Sequence, residues 1–295
     1  MKRILALILS SLMLLTFVSC DKDDVVAEGN DNTPVKGAEV VEEQKEEEPK
    51  EEKKNYPDNI LMENFDSTLH DHDVMDEWVK TVTFLDTLEG MPEDAWDISK
   101  AQDKSVMAWA TNGGDDLYIA GEGGVTASSC DGLFMNFRSA VSINFNGCFY
   151  TDLVDRISEM FMYCESLETL DLSGWNTSGM RYMDAAFRDC KNLKSVNLTG
   201  WDTSNVEYLG MMFERCMSLE NVDLSHFDTS KIANFSEMFS YCKKLTSVDL
   251  STWDTSAAKS MESMFEGCQS LKTVDGLKIP EGCITDNMYN GTPLA

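Results

Sequence analysis

Five phenylalanines stand at a constant interval of 26 residues: Phe161, Phe187, Phe213, Phe239 and Phe265. A cysteine follows each by three, at Cys164, Cys190, Cys216, Cys242 and Cys268. The same period carries Leu167, Leu193, Leu219, Leu245 and Leu271, a bulky aromatic slot at Trp175, Trp201, Phe227 and Trp253, and Thr177, Thr203, Thr229 and Thr255. A repeat of this size cannot bury its apolar face alone, and a period without insertions lets each unit stack on the next in register. The expectation is a solenoid.

Within one unit, Val206, Leu209, Met212, Phe213 and Cys216 fall at the three-and-four spacing of a short helix, with Thr203 and Ser204 placed as N-caps and Asp202 able to close a local turn. Leu219, Val222 and Leu224 end in the period-two alternation of a strand. Each coil therefore reads as strand, turn and helix, in an α/β parallel solenoid whose strands would lie about 4.8 Å apart. Phe134, Phe149, Thr151, Val154 and Ile157 outline a degenerate first unit, with Phe137 in the cysteine slot. A shortened last unit ends at Met288 and Tyr289.

The unit Met-Phe-x-x-Cys-x-x-Leu-x-x-Val-Asp-Leu-Ser-x-Trp-Asp-Thr-Ser-x-Val resembles the repeat of BspA-like leucine-rich-repeat surface proteins and of mycoplasma-type surface lipoproteins. Ser236–Phe239 through Leu250–Ser256 is its closest copy. Trp96–Ser99, Ser105–Trp109 and Leu117–Gly124 are similar to the segment preceding such repeats, so the resemblance covers about residues 79–295. It implies a leucine-rich-repeat-like solenoid with an N-terminal cap and a surface-exposed binding or adhesion role. It names no ligand.

The N-terminus supplies the means of display. Lys2 and Arg3 precede an apolar run from Ile4 to Val18 that is too short for a comfortable membrane span, the pattern of an export signal. Phe17-Val18-Ser19-Cys20 resembles the bacterial lipobox, which implies lipid attachment at Cys20, and Asp21–Asp24 resembles an acidic tag for the outer face of the outer membrane. The domain reading is thus residues 1–20 signal peptide, 21–59 disordered acidic stalk rich in Glu and Lys, 60–133 N-terminal region and cap, and 134–295 repeat solenoid. The stalk is too polar to offset the entropy of ordering. The expected location is the bacterial cell surface, held to the membrane by the lipid alone.

A formal charge of −28 makes nucleic acid an unsuitable partner, because phosphate binding needs basic patches. No cofactor, metal or catalytic site is expected: there is no Cys-x-x-Cys spacing, no nucleophile motif and no phosphate-cradling glycine loop before a helix. His70 and His72, in His-Asp-His-Asp, are a weak metal pattern, and Gly121–Gly124 reads as a tight turn. The eight cysteines after Cys20 allow disulfides between coils, but one per coil in an apolar slot favours buried thiols. The aromatic slot is either a sugar-stacking platform or, as its strict period favours, a core column.

Alternation places Asp171, Asn197, Asp223, Asp249 and Asp275 on an exposed face, with Thr169, Ser195, Asn221, Ser247 and Thr273 two residues earlier. Carboxylates stacked so closely must be solvated, partly protonated or bridged by a cation. Asp171, Asn197, Asn221, Asp223, Asp249 and Asp275 are the candidate contacts for an extracellular protein or matrix component. A first alternative is glycan binding, with Tyr118, Phe149 and Tyr150 as the aromatics outside the periodic slots. A second is an enzyme using Asp71, Asp73, Asp76, Glu77 or Asp97 within residues 60–133.

Overall fold

The computed structural model describes residues 57–63, 66–72 and 74–295. The signal segment, Cys20, the stalk before residue 57, and Asp73 lie outside the described residues. Pro57–Asn59, assigned from sequence to the stalk, are docked on the cap. Asn59 donates through Nδ2 to the carbonyls of Glu122 (2.6 Å) and Gly124 (3.0 Å), and Thr126 donates to the Pro57 carbonyl at 2.7 Å.

The cap comprises β1 (Ile60–Leu61), α1 (Asp66–Asp71), β2 (Thr81–Leu85), β3 (Trp96–Asp97), β4 (Met107–Thr111), β5 (Asp116–Ala120), β6 (Val125–Ala127), β7 (Ser142–Asn144) and β8 (Phe149–Tyr150). A five-stranded sheet runs β3-β4-β5-β2-β7, parallel across β5-β2-β7 and antiparallel across β3-β4-β5, beside a parallel β1-β6-β8 sheet. In β2 the alternation of Thr81, Thr83 and Leu85 with Val82 and Phe84 buries the latter pair completely. Gly124 lets β6 approach β8: its φ is +104°, and a Cβ there would lie 2.7 Å from the Cys148 carbonyl oxygen and from the Tyr150 ring. One hydrophobic core runs from these sheets into the repeats.

The expected strand–turn–helix solenoid is corrected by the backbone. Among the described residues the only α-helix is α1, in the cap; the repeats contain none. The segment that carries the helical spacing is a succession of turns. In one coil Ala185 (φ 55°) and Asp189 (φ 58°) adopt the left-handed conformation, as do Met211 and Arg215, then Glu237 and Tyr241, in the next two. A left-handed residue every fourth position cannot continue a right-handed helix. The amides turn outward along the stack: Met183, Ala185, Phe187 and Asp189 donate to the carbonyls of Tyr208, Gly210, Met212 and Glu214 at 2.8–3.0 Å. Residues between them close local turns, Arg188 onto Ala185 and Cys190 onto Phe187. Thr203 and Ser204 therefore cap no helix. Thr203 is buried and donates to the Asp228 carbonyl of the next coil, while the Ser204 amide bonds Asp202 Oδ1.

The strands are short and the sheet is interrupted. β9 (Thr169–Asp171) pairs in parallel with β10 (Ser195–Asn197), and β11 (Ser247–Asp249) with β12 (Thr273–Asp275), but Asn221–Asp223 between them form no strand. Stacking continues through isolated parallel bridges linking Arg156, Tyr182, Tyr208, Asn234, Ser260 and Ile284 in sequence. The degenerate first unit joins the same way: Gly132, Phe134 and Asn136 donate to the carbonyls of Ser158, Met160 and Met162.

The periodic side chains fill the interior as columns. Phe161, Phe187, Phe213, Phe239 and Phe265 are fully buried, with consecutive rings stacked at centroid separations of 5.3–5.7 Å. Trp175, Trp201, Phe227 and Trp253 are buried too, so the slot is core and presents no platform. The ladder cysteines are free and buried. Each thiol donates to a phenylalanine carbonyl one coil upstream, Cys190 to Phe161 and Cys216 to Phe187 at 3.0 Å, Cys242 to Phe213 at 3.1 Å and Cys268 to Phe239 at 2.9 Å. A small, weakly polar donor therefore serves a carbonyl deep in the core, where an unpaired oxygen is costly.

Candidate functional site

The residues singled out on the strand face are brought together as a column. Asp171 lies opposite Asn197 in the β9–β10 pair and Asp249 opposite Asp275 in the β11–β12 pair, and all four side chains are exposed. Asp223 and Asn221 continue the exposed face between the two sheets. Three of the aspartates also close a local turn. Asp171, Asp223 and Asp249 accept from the amides of Ser173, Ser225 and Ser251 at 2.9–3.0 Å, and Asn197 does the same for Thr199 at 3.1 Å. Side chain bonding to the backbone two residues on explains the recurrent Asp/Asn-x-Ser/Thr spelling.

These bonds decide the charge state. Hydrogen bonds from Ser173, Ser225 and Ser251 hold Asp171, Asp223 and Asp249 below the usual carboxylate range. For Asp249 they outweigh repulsion from Asp223. Asn197 interposes a neutral amide, donating from Nδ2 to Asp171 Oδ1 at 3.0 Å.

A second acidic column, missed in the sequence reading, follows the aromatic slot: Asn176, Asp202, Asp228 and Asp254, with Asp152 beside its first member. The amides of Ser204, Ser230 and Ser256 bond Asp202, Asp228 and Asp254 at 2.9–3.0 Å, and these carboxyls are likewise held low by those serines. Asn176 donates to Asp152 at 2.8 Å, as Asn197 does to Asp171. The signal was present in the recurring Trp-Asp-Thr-Ser, where the aspartate stands two residues before a serine.

The remaining candidates are not gathered into a site. His72 stacks on Trp96 with centroids 4.6 Å apart, and His70 Nε2 lies 3.3 Å from Asp76. Asp97 is occupied by Ser99 and the Lys104 amide in a tight turn, and the Glu77 amide bonds Asp76. Among the described residues no group of three or more His, Cys, Asp or Glu is placed to hold a metal ion, and no helix is long and apolar enough to cross a membrane. Tyr118 stacks on Trp109 at 5.4 Å. Phe149 and Tyr150 line a cleft of about 800 Å³ where the cap meets the first coil, together with Asp152, Asp171, Trp175 and Asn176.

Two overlapping stretches of the chain, residues 129–222 and 155–275, match a family described as "Mycoplasma protein of unknown function, DUF285". Together they begin next to Cys130, whose amide makes a bond between the cap and the first coil, and run through β12. No curated protein and no solved structure matches the chain. The family match fits the likeness to mycoplasma-type surface proteins; the leucine-rich-repeat reading does not carry over to these helix-free coils.

Proposed function

We propose that this chain is a surface-displayed binding protein whose stacked coils present a regular anionic face to a basic protein partner. The observation that carries the reading is the two exposed columns of Asp and Asn, in which six aspartates are held ionised by serine hydrogen bonds of their own turns. A rigid array of fixed charges complements a partner with regularly placed Lys or Arg, and charge complementarity contributes mainly to association rate and selectivity. The family match fits a surface protein. On this reading the chain performs no catalysis, and the lipid at Cys20 holds it at the bacterial surface, with an extracellular protein or matrix component as partner.

The test uses an oligolysine peptide as probe of the face. The protein should bind it with an affinity that falls as salt rises, because the exposed charges are screened. Replacing Asp223→Asn together with Asp249→Asn should weaken binding and flatten that dependence. The fold should survive, since Asn197 already closes the equivalent turn with an amide oxygen. Equal affinity of parent and double variant at every salt concentration would refute the acidic face. Release of a Cys20→Ser variant from the membrane fraction checks the anchor separately.

A further inference from the structure

The ladder of backbone bonds running down the stack breaks once in a way that leaves an opening. β7 and β9 approach within 8 Å by Cα, yet β7 is bonded to β2 and β9 to β10, and no ladder joins the two. Directly bonded strands would lie about 4.8 Å apart. The cleft between them is walled by Asn144, Phe149 and Tyr150 on the cap side and by Asp171, Trp175 and Asn176 on the first coil, with Asp152 at one end.

One polar atom in this cleft is out of keeping with the rest of its column. Trp201 donates from Nε1 to the Leu172 carbonyl at 3.0 Å, and Trp253 to the Leu224 carbonyl at 3.2 Å, each reaching one coil upstream. Trp175 occupies the same slot, with its ring within 11° of parallel to that of Trp201. Trp175 lines the cleft, and its Nε1 is buried and meets no protein acceptor. The residue is only 6% exposed, so it lies at the floor of the opening and not on its rim. Leaving such a donor unpaired costs free energy that a bound acceptor would recover.

We propose that this cleft binds a neutral oligosaccharide, with a sugar oxygen accepting from Trp175 Nε1. The chemistry of the walls selects that class. The indole needs an acceptor, which a cationic side chain does not offer, and Asp152 and Asp171 repel an anion. Each carboxylate has capacity beyond its present partners, Asn176 on Asp152 and Ser173 and Asn197 on Asp171, because an ionised carboxyl can accept about four bonds. Hydroxyl groups both donate and accept, and the apolar face of a sugar ring suits the partly exposed ring of Tyr150. A peptide strand also carries donors and acceptors, but insertion between β7 and β9 would need about twice the spacing of bonded strands, more than the 8 Å approach allows. The cleft volume lies in the range of small-molecule sites.

The test follows the six indole N–H resonances of the protein with isotope-labelled tryptophan, Trp175 being identified by its loss in Trp175→Phe. Phe227 occupies this slot two coils along and is buried there, so the fold accommodates phenylalanine in the slot. Chitotetraose, maltotetraose and mannotetraose are added in turn at millimolar concentration. At least one should shift the Trp175 resonance while Trp201 and Trp253 stay in place, and Trp175→Phe should weaken its binding about tenfold, the loss of one buried hydrogen bond. Trp201→Phe should leave binding unchanged but lower the melting temperature, because its donor is spent within the fold. The proposal is overturned if none of the three moves Trp175, if Trp175→Phe binds as the parent does, or if oligolysine alone moves the resonance.

Discussion

His226 donates from Nε2 to the carbonyl oxygen of Leu198 at 2.9 Å, occupying the place that an indole nitrogen fills in the neighbouring coils. Trp201 serves Leu172 and Trp253 serves Leu224 in this way, whereas the intervening slot holds Phe227, which has no N–H to give. The adjacent imidazole, packed edge-on against Phe227 with centroids 5.1 Å apart, supplies the missing donor. A carbonyl oxygen can only accept, so the imidazole carries its proton on Nε2.

His226→Ala should therefore destabilise the fold by about 1 kcal/mol, the net worth of one such bond. Adding Phe227→Trp to that variant should restore most of the loss, because an indole at this position reaches the same carbonyl. A denaturant series on the two single variants and the double variant checks this. Additive losses would show that the two donors are not interchangeable.

Glu159 is exposed and holds φ at 58°, the left-handed region that costs a residue with a Cβ about 1–2 kcal/mol. Glu159→Gly should accordingly stabilise the protein by about 0.5–1 kcal/mol, after the entropy glycine gains in the unfolded chain is set against the relieved strain. In a helix the same change would destabilise by about 1 kcal/mol. The sign of the shift in thermal midpoint thus separates a turn-built coil from a helical one.

Burial raises the thiols of Cys190, Cys216 and Cys242 well above their ordinary value and pushes Cys268 up to about 12. A thiol held protonated inside the core is a poor nucleophile. Iodoacetamide at neutral pH should label the half-buried Cys283 first and the ladder cysteines only at the rate of unfolding, as read by peptide mass spectrometry. Rapid modification of Cys216 in the folded protein would contradict the stacking.

Acid should loosen the coils through their turns. Serine hydrogen bonds depress the folded-state titration of Asp171, Asp202, Asp223, Asp228, Asp249 and Asp254 below the ordinary aspartate value of 3.8. Protons therefore bind the unfolded chain more readily. The stabilisation is complete above 3.8 and is lost as pH falls through the depressed values. The melting temperature should drop across that window, and the drop should shrink in Asp223→Asn with Asp249→Asn, since an amide does not titrate there.

The unit length, the inward columns of Phe, Cys, Leu and Trp, and the aspartates of the strand face were legible in the sequence, because burial and alternation follow directly from the order of apolar and polar residues. The backbone path between Met183 and Cys190 was not. Apolar residues four apart point the same way in a helix and in two successive four-residue turns, so Met183 and Phe187 satisfy both patterns equally. What separates them is where the amides find their acceptors. The helix would use the carbonyl four residues back; Ala185 and Asp189 instead turn left-handed and bond Gly210 and Glu214 of the next coil. That choice exists only once a neighbouring coil is in place at hydrogen-bonding distance. For the same reason the sequence by itself determined that Trp175, Trp201 and Trp253 share one slot, while only the tertiary structure decided which indole has a carbonyl above it. The repeat supplies that carbonyl to Trp201 and Trp253, while Trp175, in the first coil beside the unbonded β7 and β9, meets none.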